Sequence, residues 1–202
     1  MIKKLYLGID PDLRLLNAAL ITDQKQALAV FKRSNKGLRE DKAVAQAVGH
    51  VRDLVRDMSA CINALSEAGH LDPACQLVTI VESQNMEHAR AMRKKGRKIN
   101  YQNLLQLGQV AGIIMGALSS ISTKTVLVQA QEWKGTVSKV IAHPRYYRAL
   151  GITPDPEKRV SNIYPENMES LCYYSQVKIN MGDFKDINDS LGLALYGAKK
   201  GL

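Results

Sequence analysis

The sequence contains no CxxC pair and no cluster that combines cysteine with histidine. Its three cysteines, Cys61, Cys75 and Cys172, are scattered and odd in number, and the four histidines stand apart from one another. A disulfide framework needs paired cysteines, and a structural zinc site needs ligands at short, regular spacings. The pattern therefore disfavours both kinds of site. It predicts three buried apolar thiols in a protein of a reducing, cytoplasmic compartment.

Long hydrophobic runs are also missing. The longest, residues 110–118, contains two glycines and is far shorter than the roughly 20 residues that a membrane-spanning helix needs. The N-terminal residues lead directly into a strand-like segment without an apolar signal region. Membrane insertion and secretion are therefore disfavoured. A hydrophobic content of 46% and a charged content of 23% over 202 residues predict a globular chain, for which a single domain is the default.

Acidic residues are few relative to basic ones. The chain has 28 Lys and Arg against 19 Asp and Glu, a net charge of +9, which suits a polyanionic partner such as nucleic acid or an anionic membrane surface. One basic region spans residues 90–98. A second contains Lys134 and Lys139 with Trp133 and Tyr146 among them, and aromatic rings can stack on unpaired bases. A solvated face, or simple packing of the rings, is the alternative for each cluster alone. The predicted phosphate contacts in the first region are Arg93, Lys94, Lys95, Arg97 and Lys98.

The hydropathy pattern predicts the element order β-β-β-α-β-α-β-α-α. Short connections between the first three strands indicate an antiparallel meander. The whole predicts an α/β fold, a mixed sheet with helices on both faces. Residues 151–182 hold three prolines and no clear periodicity, so we expect an insertion or long loop there within a single domain of residues 1–202. The predicted strands are 4–9, 16–22, 27–32, 77–81 and 125–128, and the predicted helices are 44–65, 103–119, 131–150 and 184–199.

The second predicted helix carries three glycines on one face. Gly108, Gly112 and Gly116 are four residues apart, and together they cost about 3 kcal/mol of helix propensity relative to alanine. Close approach of another backbone would offset this cost. The sheet of the same chain or a second subunit is the expected partner.

Four acidic residues lie at the ends of predicted elements. Asp10 ends the first strand, Glu82 ends the fourth, and Asp186 and Asp189 open the last helix. Taken singly, each is more simply a turn or capping residue. If the first and fourth strands are parallel neighbours, however, the carboxylates meet at one sheet edge, where they repel unless cations neutralise them. Two Mg²⁺ or Mn²⁺ ions about 3.5–4 Å apart would do so and can hydrolyse a phosphodiester.

Several motifs in this order resemble the RuvC-type Holliday junction resolvases. They are Gly8-Ile9-Asp10-Pro11, Val81-Glu82-Ser83-Gln84, the run Leu107-Gly108-Gln109-Val110-Ala111-Gly112, and the run from Asp186 to Leu195. The resemblance covers residues 1 to about 140 and 183–198. It implies a ribonuclease-H-like fold and a crossover junction endodeoxyribonuclease.

The resemblance also implies roles for particular residues. Asp10, Glu82, Asp186 and Asp189 would be the catalytic metal ligands for two Mg²⁺ or Mn²⁺ ions, with Asp10 bridging both because it ends the central strand. Members of the family are homodimers that nick two opposing strands of a four-way junction. The glycine-bearing helix resembles their dimer helix. Lys134 and Lys139 lie near the family's basic DNA contacts.

The sequence departs from the family at several positions. Asp12 and Asn17 stand where the family usually has glycine, and both residue types tolerate the left-handed backbone of a turn. Asn85 stands where bacterial members place an aromatic residue. The chain therefore fits a divergent member, such as a viral one. The missing aromatic leaves open a broader branched-DNA or flap endonuclease of the same fold. A non-catalytic junction-binding protein is the other alternative.

Overall fold

A computed structural model describes residues 1–12, 15–34, 43–83, 94, 96, 100–135, 137–150 and 181–202. Five strands and five helices follow one another within these residues. The expected insertion at 151–182 lies outside them, except that its last two residues belong to the final helix. The elements are β1 (Ile2–Pro11), β2 (Leu15–Thr22), β3 (Ala27–Ser34), α1 (Ala43–Glu67), β4 (Leu71–Ser83), α2 (Tyr101–Leu118), β5 (Lys124–Gln129), α3 (Ala130–Lys134), α4 (Lys139–Ala149) and α5 (Met181–Lys200).

The strands form one mixed sheet in the order β3-β2-β1-β4-β5. The first three are antiparallel to one another, whereas β4 runs parallel to both β1 and β5. The predicted meander is confirmed, and the first and fourth strands are parallel neighbours, which is the condition for the strand-end acids to meet at one edge. β1 is central because both of its faces are apolar: Leu7 and Ile9 belong to one core and Tyr6 to the other.

One face of the sheet is covered by α1 and α2. The buried stripe of α1 consists of Val51, Leu54, Met58, Cys61 and Leu65, which are three and four residues apart and so lie on one side of a helix. Val48, an apolar residue of the same helix, is 50% exposed. Burial of the Cys61 thiol is confirmed, whereas Cys75 is partly exposed.

The opposite face is covered by α5, whose buried residues include Ile187, Leu191 and Leu195. Helix and strand backbones meet at Gly8 of β1, where an added Cβ would overlap the backbone of Ser190 and Ala194. Glycine is therefore required at this position for α5 to lie directly on β1. This contact fixes the first half of α5 close to the carboxyl end of the central strand.

The glycines of α2 do not pack as the sequence suggested. Apart from the adjacent residues and the helix's own backbone, no described atom lies within 4 Å of the position that a Cβ would take at Gly108, Gly112 or Gly116, and all three are exposed. The expectation that this face lies against the chain's own sheet is therefore wrong for the described residues. The buried face of α2 carries larger residues, Val110, Ala111, Ile114 and Leu118.

Two element boundaries also differ from the prediction. β4 begins at Leu71 rather than at 77, because Leu71 already pairs with Ile2 of β1. The ladder is then interrupted at a stretch that contains Pro73 and resumes at Gln76. Proline is tolerated where a ladder is interrupted. The helix expected over 131–150 is divided into α3 and α4. Gly135, at φ 62°, ends α3. Among the described helices, none has the length and apolarity needed to cross a membrane.

Candidate active site

Polar residues form a row across the sheet on the face that α5 covers. Asp10 pairs with Asn17 on β2, and Asn17 pairs with Lys32 on β3. On the other side of β1, Glu82 follows Val81, which is the partner of Ile9. Because side chains alternate along a strand, Asp10 lies on the same face as Gly8 and therefore faces α5. Asn17 was expected to tolerate a turn. It lies instead inside a strand. Its backbone is not left-handed, because Lys25 is the one described non-glycine residue with positive φ.

The α5 helix brings a third carboxylate to this row. The backbone N–H of Asp10 donates to Ser190 Oγ at 3.3 Å, and the neighbouring Asp189 is only 3% exposed. Burial raises the pKa of Asp10 well above its usual value, and the negative charges of Glu82 and Asp189 raise it further. The structure therefore brings Asp10, Glu82 and Asp189 together. Asp186 lies one turn earlier in α5, and its side chain is outside the described residues.

Glu82 is held by a buried indole. Trp133 Nε1 donates to Glu82 Oε2 at 3.1 Å, and its ring packs with Tyr146 where a Cβ on Gly192 would otherwise stand. Trp133 is buried and its ring packs against Tyr146, which favours the packing alternative over stacking on unpaired bases. Burial raises the pKa of Glu82, as does the charge of Asp189, while Lys134 and the indole hydrogen bond oppose the rise.

Asp189 is surrounded by cationic and hydrogen-bonding groups. Lys139 Nζ lies 2.6 Å from Oδ2 and Lys134 Nζ lies 3.9 Å from the same atom. On the other oxygen, His143 Nε2 lies 3.2 Å from Oδ1. Burial alone would raise the pKa of Asp189, but the hydrogen bonds from His143 and Lys139 and the two ammonium charges together lower it. Asp189 therefore stays ionised beside two carboxyl groups whose pKa values are raised.

His143 was missed by the sequence analysis, which treated the histidines as isolated. Its Nδ1 lies 3.3 Å from Asn188 Nδ2. An amide nitrogen can only donate, so Nδ1 accepts this bond and Nε2 carries the proton that it donates to Asp189. The available signal was the spacing of Lys139 and His143, four residues apart on α4, which places them on one helix face.

Comparison with solved structures shows which fold this is. T. thermophilus RuvC in complex with a Holliday junction substrate is 12% identical and superimposes with a TM-score of 0.57 over 98% of this chain and 94% of that chain. The chain has a ribonuclease-H-like fold. The human cytomegalovirus terminase nuclease domain is 15% identical, with a TM-score of 0.48 over 98% of this chain and 83% of that chain. No family model matches the sequence, and no curated protein does.

The donor atoms at this edge of the ribonuclease-H-like sheet suit a hard divalent cation. Asp10, Glu82 and Asp189 all offer carboxylate oxygens, the ligands that Mg²⁺ and Mn²⁺ prefer. Within the described residues, no three acidic, histidine or cysteine side chains already stand at ligand spacing. Asp189 points to Lys139 and His143, so a cation at this edge competes with Lys139 for its carboxylate. The donor set fits such an ion, whose charge would take the place of that of the Lys139 ammonium.

The predicted DNA contacts fall into two groups. Lys134 and Lys139 lie beside the carboxylates, as the distances to Asp189 show. Lys94 is exposed. Arg93, Lys95, Arg97 and Lys98 lie outside the described residues, so their role as phosphate contacts remains a prediction.

Proposed function

We propose that this protein is a metal-dependent, structure-selective DNA endonuclease that resolves four-way junctions by paired phosphodiester nicks. The observation that carries the proposal is the convergence of Asp10, Glu82 and Asp189 where β1, β4 and α5 of a ribonuclease-H-like fold meet. Three carboxylates in one place repel one another and destabilise a fold unless positive charge, such as that of a bound cation, balances them. The net charge of +9 suits a polyanionic substrate.

The four predicted acids would hold the metal. Asp10, Glu82 and Asp189, with Asp186 from the preceding turn of α5, would bind two Mg²⁺ or Mn²⁺ ions. When bound, the two ions supply an activated water and stabilise the leaving oxygen of the phosphodiester. Asp10 occupies the central strand between β2 and β4, so it would hold the metal between the acids of the neighbouring elements.

The surrounding residues prepare the site. Trp133 fixes the carboxylate of Glu82, and His143 fixes that of Asp189 through its Nε2–H. Lys134 and Lys139 supply positive charge at the same edge, where they bind the phosphates that flank the cleaved bond. When DNA and metal are both present, Lys139 exchanges its contact with Asp189 for a contact with phosphate.

The proposed substrate is branched DNA, especially a four-way junction. The RuvC structure that this chain resembles in fold contains a Holliday junction. Two sites acting on opposing strands require a homodimer. The exposed glycine face of α2 supports a homodimer, because a second chain could approach it closely. Leu105 of the same helix is 64% exposed and would be covered in such a dimer. A role in DNA recombination or repair, in a reducing compartment that contains DNA, would follow.

A cleavage panel tests this proposal. End-labelled four-way junction, flap and linear duplex are incubated with the wild type and with Asp189→Asn, each with Mg²⁺, Mn²⁺ or EDTA. We expect paired, symmetric nicks in the junction alone, dependent on the metal and absent from the variant. Equal cleavage of flaps and junctions would replace the resolvase with a broader branched-DNA endonuclease. Junction binding without nicks under any condition would make this a binding protein.

A further inference from the structure

Asn17 has a feature that the proposed chemistry does not yet explain. Its side chain is only 2% exposed, and its Oδ1 is buried without a hydrogen-bond partner among the described residues. Among the described residues, no other buried side-chain nitrogen or oxygen lacks a hydrogen-bond partner. Asn17 stands in the polar row, between Asp10 on β1 and Lys32 on β3.

A buried carbonyl oxygen without a partner is unfavourable. Leaving one unsatisfied costs about 1–3 kcal/mol, and native proteins hold few such groups. Ala19, the next residue of β2 on the same face as Asn17, is apolar and fully buried, so an apolar side chain would also suit this face. The amide oxygen must therefore have a partner in the working protein.

The neighbours of Asn17 restrict what that partner can be. With a cation bound, its strand partner Asp10 would be an ionised carboxylate, which only accepts hydrogen bonds. A carboxylate oxygen and an amide oxygen side by side are both satisfied by a cation, or by a water held by a cation. Asparagine carbonyl oxygens are established ligands of hard divalent ions.

We propose that Asn17 Oδ1 is a neutral oxygen of the divalent-cation site, directed at the ion or at a water that the ion holds, on the β2 side of Asp10. This inference rests on the proposed function, because it requires the cation. It adds to the four acids a residue at a position where the resembling family usually has glycine. The site of this protein would thus contain an extra acceptor that a glycine cannot provide.

The test compares wild type, Asn17→Leu and Asp10→Asn in two measurements. The first is the melting temperature in EDTA, and the second is Mn²⁺ affinity by titration calorimetry. Asn17→Leu has a similar shape but no acceptor. We expect it to melt at or above the wild-type temperature in EDTA and to bind Mn²⁺ about 10–100-fold more weakly, the range seen when groups supporting a metal are removed. An Mn²⁺ affinity of Asn17→Leu within twofold of wild type would overturn the proposal. The partner of the amide oxygen would then be Lys32 or water.

A second variant keeps the test decisive if Asn17→Leu fails to fold. Asn17→Asp retains the oxygen and adds a negative charge beside Asp10. We expect a lower melting temperature in EDTA and a larger Mn²⁺-induced rise than in wild type. If Mn²⁺ raised the melting temperature of Asn17→Asp no more than that of wild type, the result would contradict the proposal.

A control variant separates stability from metal binding. Thr79 is a fully buried polar residue of β4, and its Oγ1 lies 2.6 Å from Ser122 Oγ. Thr79→Val should lower the melting temperature without changing Mn²⁺ affinity. If the wild type itself binds no Mn²⁺, the proposed metal-dependent function fails. If wild type and Asn17→Leu bind Mn²⁺ equally, only the role of Asn17 fails.

Discussion

At the scale of single residues, the candidate site combines carboxyl groups in opposite electrostatic states. Burial and two neighbouring acids raise the pKa of Asp10, whereas His143 and two lysines lower that of Asp189. In the metal-free site, burial therefore favours the protonated form of Asp10, while ammonium groups balance the charge of Asp189. A divalent cation would displace both.

The charge of Asp10 should destabilise the metal-free protein. A raised pKa means that the folded state holds this proton more tightly than the unfolded state. The penalty is therefore absent below the unfolded pKa, about 3.9, grows as pH rises from there to the higher folded value, and is constant above it. Asp10→Asn removes the penalty, so its melting temperature in EDTA should exceed that of wild type by an amount that increases with pH. Thermal unfolding at several pH values measures this, and a difference that shrinks as pH rises would contradict it.

His143 should act by positioning Asp189. Removal of its Nε2–H frees the carboxylate to rotate, so His143→Ala should weaken Mn²⁺ binding about 10–100-fold. In His143→Gln, the side-chain amide can donate to the same oxygen, and part of the affinity should return. Calorimetric titration of the three proteins is the measurement. Equal loss in both variants would mean that His143 serves packing alone.

Only part of the site could be predicted from individual residues. Asp10 and Glu82 were predictable because each follows an apolar strand, and parallel strands end at the same edge. Trp133 and His143 were not, because their contacts depend on how α3 and α4 pack against α5 and β4. The partnerless oxygen of Asn17 also depends on packing, since burial decides whether an amide has water as a partner.

At the scale of elements, the backbones of β1 and α5 approach each other closely at Gly8. Gly8→Ala forces the new methyl group against Ser190 and Ala194, and overpacking of this kind costs about 1–3 kcal/mol. Gly49 of α1 is the matched control, because no described atom lies within 4 Å of its Cβ position. Gly49→Ala should stabilise the protein by up to about 1 kcal/mol through helix propensity. Urea unfolding measures both, and equal effects of the two substitutions would contradict the contact.

Sequence periodicity predicts elements well where burial is regular. The strands β1 to β3 and the helix α1 follow from it, although the buried stripe of α1 includes Leu54 and Cys61 and leaves Val48 half exposed. The early start of β4 does not, because Leu71 joins the sheet by pairing with Ile2 before the irregularity at Pro73. The division between α3 and α4 depends on the conformation of Gly135, which hydropathy does not report.

At the scale of the whole molecule, the proposed homodimer uses the exposed glycine face of α2. Light scattering after gel filtration should give twice the 22.4 kDa mass of one chain. Gly112→Leu fills the face and should reduce the mass to that of one chain at the same concentration. Ala60→Leu, at an exposed position of α1, is the control and should leave the dimer intact. A wild-type protein of single-chain mass, or a dimer that Gly112→Leu does not alter, would contradict this assembly.

The central claim is that a carboxylate metal site in this fold cuts branched DNA. The most direct measurement follows binding and cleavage of one labelled four-way junction by wild type and Glu82→Gln, with Mg²⁺ and with EDTA. Glu82→Gln keeps the shape of the side chain but removes its charge. We predict equal junction binding by both proteins in EDTA, and paired nicks by the wild type alone when Mg²⁺ is present. Nicks by Glu82→Gln at the wild-type rate, or nicks by wild type in EDTA, would contradict the account.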